Sequence, residues 1–108
     1  MAYPQGAVVI AEDPFGNNPE RPYLLLSNDQ VPFHGEEYIA AVITSTARSA
    51  AIELTDARFT AGRLPRTSYV SPWSILSLKE WMITKQPAEV TDETVSEVRE
   101  ALDGYLQT

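Results

Sequence analysis

The apolar residues of this chain change their period once, near residue 90. Before that point they come in short, β-branched runs closed off by proline, glycine or asparagine, and such runs read as strands. GAVVIAE (6–12) sits between Pro4 and Asp13-Pro14. PYLLLSN (22–28) follows DPFGNNPE (13–20), whose prolines, glycine and asparagines mark an exposed loop. YIAAVITST (38–46) is the strongest strand of the chain. A continuous apolar run such as PYLLLSN belongs to a strand covered on both faces or closing a barrel. AAIELTD (50–56) alternates as an antiparallel partner, ARFTAGRLP (57–65) is irregular, and WMITK (81–85) is a short final strand. Residues 67–78 read as a strand interrupted by Pro72, which demands an edge position or a bulge.

After residue 90 the spacing becomes helical. Thr91 is a good N-cap, and Asp92 and Glu93 in the first turn suit the helix dipole. Val95, Val98, Leu102, Tyr105 and Leu106 then form one apolar face, with Gly104 weakening the helix near its end. Short strands followed by one amphipathic helix predict a small antiparallel barrel over about 5–86 with a C-terminal helix over about 91–106. At 108 residues, with 44% of them apolar, the chain can bury a core as one domain, 1–108.

Composition closes several routes to function. There is no cysteine, so thiolate chemistry, Cys-based zinc sites and disulfides are excluded, and the lone His34 excludes a His-only metal cluster. The start, MAYPQGAVVI, lacks the basic and long apolar stretches of a signal peptide or membrane span, so the expected location is cytoplasmic. The net charge of −7 works against phosphate binding. The charge is uneven, however. Glu89, Asp92, Glu93, Glu97, Glu100 and Asp103 crowd the C-terminal end, while Arg48, Arg58, Arg63 and Arg66 cluster mid-chain and allow a local basic patch. An acidic surface with only Lys79 and Lys85 as lysines also resembles a salt-adapted, halophilic composition.

The order of these segments resembles the MazF/PemK/Kid toxin family. In that family a glycine-led first strand runs into a polar loop. An Arg-Pro pair then opens an apolar second strand that ends in a polar residue and Asn. Here GAVVIAEDPFGNNPERPYLLLSND supplies Gly6, Arg21-Pro22 and Ser27-Asn28. IAAVITSTAR (39–48) is similar to the family's third strand, closing on Thr44, and EVREALDGYL (97–106) to its terminal helix. The family's fifth strand carries an acid or Gln followed by Arg-Thr-Ile-Asp. The corresponding YVSPWSILSLKEW (69–81) offers only Ser71, Trp73, Ser74, Lys79 and Glu80, so the match in catalytic residues stops at Arg21 and Thr44.

The resemblance implies an SH3-like barrel and a metal-independent endoribonuclease that cuts single-stranded RNA and needs no cofactor. It also implies a homodimer restrained by an antitoxin, with DNA binding by the toxin–antitoxin complex. Attack by the RNA's own 2′-hydroxyl needs a cation and hydrogen-bond donors around the phosphorane. Arg21, with its planar fork, suits the cation, and Thr44 supplies a hydroxyl that Ser45 and Thr46 could share. A single strand also wants aromatic platforms beside cations, for which Phe15, Trp73, Asn28, Arg48 and Arg66 are candidates. Trp73 serves equally as core or dimer packing. His34 has a suitable ordinary pKa but lies in a loop that matches nothing in the family. Two other readings stay open: a barrel of this type that binds RNA or a protein without cutting, and an adaptor for proline-rich peptides, for which the tyrosines and tryptophans form no cluster.

Overall fold

The structure, a computed structural model, describes residues 2–14, 16 and 18–108; Phe15 lies outside the described residues. Seven strands form one antiparallel sheet: β1 (Ala7–Glu12), β2 (Glu20–Leu25), β3 (Glu37–Thr44), β4 (Ile52–Glu53), β5 (Phe59–Gly62), β6 (Tyr69–Lys79) and β7 (Ile83–Val90), followed by α1 (Asp92–Leu106). Their order across the sheet is β4-β6-β3-β2-β1-β7-β5. The antiparallel β fold with one C-terminal helix is as expected. The sheet coils into a half-barrel whose end strands, β4 and β5, are not paired with each other.

Both faces of the central strands are covered, which is why their sequences read as unbroken apolar runs. Val9, Tyr23, Leu25 and Val42 fill one core, and Val8, Leu24, Ala41 and Ile43 fill the other. α1 closes the second core with Val95 and Val98. Each fully buried aliphatic of this kind contributes about 1.5–3 kcal/mol. Thr91 caps the helix as its sequence predicts, its Oγ1 accepting from Thr94 N–H at 3.1 Å. The expected apolar face is buried only in its first half: Leu102 is half-buried, and Tyr105 and Leu106 are exposed. No helix among the described residues is long and apolar enough to cross a membrane.

Prolines and glycines explain the departures from the predicted strands. Pro72 is buried in β6, an interior strand. The β3–β6 register steps from Ala41↔Ile75 to Val42↔Ser71, leaving residues 72–74 as a bulge where the missing N–H is not needed. β7 runs on through Pro87 to Val90, well past the expected end at 85, because its pairing with β1 shifts between Val8↔Ala88 and Ile10↔Lys85. Trp81 and Met82 belong to a 3-10 turn before β7 and not to the strand. The stretch 57–65, read as irregular, holds β5. There Gly62, at φ 65°, lies so close to β7 that a Cβ would meet the Pro87 carbonyl oxygen at 2.0 Å. Of the partner strand expected at 50–56 only Ile52–Glu53 pairs.

Candidate functional site

β1, β2 and β3 lie side by side, and one end of this trio opens into a cleft of about 450 Å³. Arg21 is the second residue of β2 and pairs with Ala11 of β1. The β2–β3 register, Tyr23↔Val42, continued by two residues brings Arg21 opposite Thr44. The ladder stops short of that pair, which frees the Ile43 carbonyl. Arg21 Nη2 donates to it at 3.2 Å, so the side chain is anchored to the backbone of its neighbour strand. Its Nε is buried without a partner, and among the described residues no carboxylate forms an ion pair with it. The guanidinium therefore keeps both its charge and spare donors.

Thr44, half-buried at the end of β3, accepts from Thr46 N–H at 3.1 Å through Oγ1. That bond fixes the oxygen and leaves the hydroxyl hydrogen to donate. Ser45 and Thr46 follow it along the wall, both exposed. The facing wall is the chain between β5 and β6, with Leu64, Pro65, Arg66 and Ser68. Ser68 Oγ donates to the Arg66 carbonyl at 2.9 Å and tightens this wall.

Arg21, Thr44, Ser45, Thr46 and Arg66 thus share one cleft, and among the described candidates Asn28, Arg48 and Trp73 do not line it. Asn28 lies past the far end of β2, its Oδ1 accepting from Gln30 N–H at 2.9 Å. Arg48 is exposed between β3 and β4, and Trp73 rides the β6 bulge with 42% of its surface exposed. His34 packs edge-on against Tyr38, ring centroids 5.8 Å apart.

Sequence reasoning missed Asn18 and Glu20, which also line the cleft; Glu20 was legible only as a neighbour of Arg21. The β1–β2 loop is wound on Asp13, whose carboxylate accepts from Asn18 N–H at 3.1 Å and whose carbonyl accepts from Gly16 N–H at 3.1 Å. Beneath Arg21, Tyr23 is fully buried, and its hydroxyl donates to the Glu12 carbonyl at 3.4 Å. Burial pushes the Tyr23 phenol up to about 12. The Asp13 charge adds to the rise and the Arg21 charge opposes it. Tyr23 stays protonated at neutral pH and cannot serve as a base.

No protein-family model matches this chain, and no curated protein sequence matches it. Solved structures do. An endoribonuclease from a mycobacterial species, in complex with its cognate antitoxin, superposes with a TM-score of 0.77 at 24% identity, covering 97% of this chain and 95% of that one. MazF of a MazE-MazF structure from Deinococcus radiodurans gives 0.76 at 22% identity, over 100% of this chain and 98% of the other. The fold is that of the MazF toxins. The Mycobacterium tuberculosis toxin MazF-mt6 is similar again, at 0.72 and 20% identity over 93% and 95%. The MazF-like fold matches nearly the full length of these chains.

Proposed function

We propose that this chain, as a single domain over 1–108, is the toxin of a toxin–antitoxin pair, a metal-independent endoribonuclease acting on single-stranded RNA in the cytoplasm as a homodimer. A single observation carries this reading: a cation without a carboxylate partner among the described residues and a row of hydroxyls share one cleft. The MazF-like fold supports it, since that fold belongs to endoribonucleases solved with antitoxins.

In the proposed reaction the 2′-oxygen of the RNA attacks the adjacent phosphorus. The bond to the 5′-oxygen breaks, and that oxygen takes a proton from water, leaving a 2′,3′-cyclic phosphate and a 5′-hydroxyl. Arg21 neutralises the charge that grows on the phosphorane, and the Thr44 hydroxyl donates to a non-bridging oxygen. Glu20 is the only carboxylate among the described residues that line the cleft, and we assign it the proton of the 2′-hydroxyl. Arg66 on the facing wall is a second cation for the RNA strand. Among the described residues no three His, Asp or Glu side chains come together to hold a metal ion, and this route needs none.

Labelled RNA incubated with the protein in EDTA at high salt tests the reading: cyclic-phosphate ends, lost in Arg21→Ala, are the expected result. Binding without cutting supports the second reading, an RNA-binding barrel without catalysis. One observation favours it: β6 gives the cleft neither an acid nor an arginine, and only Ser68 lines it from just before that strand. The acidic, lysine-poor surface is read as salt-adapted, and loss of folding at low salt is the outcome that supports this.

A further inference from the structure

Beside the cleft lies a second groove of about 380 Å³ that the proposed reaction leaves unused. The two share one wall, residues 64–66, so a strand held at Arg21 can cross that wall from one into the other. The groove is open enough for a small ligand. Phe59 and Leu64, partly buried against the core, give it an apolar floor on which a base can lie flat.

Its charges are not equivalent. Asp56 is paired with Arg63, so their charges offset one another. Glu53 and Arg66 are exposed, and neither forms an ion pair among the described residues. They stand on adjacent stretches of chain, because Leu54 N–H donates to the Ser68 carbonyl at 2.8 Å and draws 53–55 alongside 66–68. A carboxylate only accepts hydrogen bonds and a guanidinium only donates them. A ligand that satisfies both must offer two donors on one edge and two acceptors on another. Among the RNA bases guanine does this, with N1–H and the N2 amino group on its Watson–Crick edge and O6 and N7 beyond it. Unstacked bases of single strands are read on these edges.

We propose that this groove is a base pocket selecting guanine next to the scissile phosphate, with Glu53 taking N1–H and N2–H and Arg66 taking O6 and N7. The inference rests on the reading of the chain as a single-strand ribonuclease. The test uses short RNAs that differ only in the base flanking the cut: guanine, inosine (which lacks the N2 amino group) or adenine. Binding and cutting are measured on each. Wild type is expected to prefer guanine over adenine by about tenfold or more, with inosine in between. Glu53→Gln reduces that preference to about twofold or less, because its amide presents a donor where an acceptor is needed. Glu100→Gln, which removes the same charge from the exposed surface of α1, keeps the preference. Cutting by wild type without base preference, or a guanine preference that survives Glu53→Gln, overturns the pocket and leaves the ribonuclease reading standing. A wild type that neither binds nor cuts any of these RNAs overturns both.

Discussion

The two ends of β3 are built from the same kinds of polar side chain and use them in opposite ways. At the Glu37 end, polar groups satisfy one another. The Tyr38 hydroxyl donates to Glu80 and accepts from Tyr3 N–H at 3.1 Å, Ser27 Oγ accepts from Ile39 N–H at 3.0 Å, and Lys79 meets Glu37 at 2.7 Å. His34 is the exception among the described residues there, its Nδ1 buried without a partner. At the Thr44 end, Arg21 has among the described residues a single backbone acceptor and no carboxylate, and the hydroxyls of Thr44, Ser45 and Thr46 line an open cleft. A saturated network holds a fold together; an unsaturated one is available to a ligand. The difference lies in partners, and composition does not reveal it.

That contrast can be broken from either end. The largest effect is expected from Arg21→Ala, which removes the cleft's anchored cation and lowers RNA cleavage by about 10²–10³-fold with the thermal melt unchanged. A melt that falls together with activity would make Arg21 a structural residue like those at the other end. Glu20→Gln comes next, with about a hundredfold loss in kcat and little change in KM, since the amide cannot take a proton. Equal loss in binding would instead mark Glu20 as a contact.

Gly62→Ala attacks the cleft's facing wall through the fold. A Cβ cannot fit 2.0 Å from the Pro87 oxygen, so β5 must separate from β7, at about 2–3 kcal/mol in a denaturation curve. Tyr38→Phe at the saturated end is the mildest, at about 1 kcal/mol, with cleavage untouched. It also carries a pH signature. Burial pushes both Tyr23 and Tyr38 up to about 12, and in Tyr38 the hydrogen bond to Glu80 adds to the rise. The folded chain thus holds these protons more tightly than the unfolded chain, whose tyrosines titrate near 10. Their contribution is intact below pH 10 and is lost as the pH climbs from 10 to about 12. Tyr38→Phe is expected to flatten that alkaline fall, as read by melting temperature against pH.

Much of this architecture was legible from residue patterns. The central strands announced themselves because both faces are buried, and Thr91 marked the start of the helix. The failures share a cause. β5 is short and mostly exposed, so FTAG carries no alternation, and it becomes a strand only where Gly62 meets β7. Periodicity gave α1 its apolar face but not how far along the helix that face is covered, and Tyr105 and Leu106 are exposed. In the site, Arg21 and Thr44 were identified from flanking motifs, and the register makes them neighbours. Asn28, Arg48 and Trp73 lie outside this cleft, at other places on the surface. Glu20 opens β2, while Asn18 and the 64–66 wall come from loops, whose positions depend on tertiary closure that no local pattern encodes.

The short strands at the two ends of the sheet affect how the protein behaves in bulk. β4 has 2 residues and β5 has 4, so the molecule offers scarcely any bare backbone for a strand of another copy to zip onto. With a net charge of −7 per chain opposing uncontrolled association, concentrated solutions are expected to stay clear and free of sheet-stacked fibres even though the barrel is open.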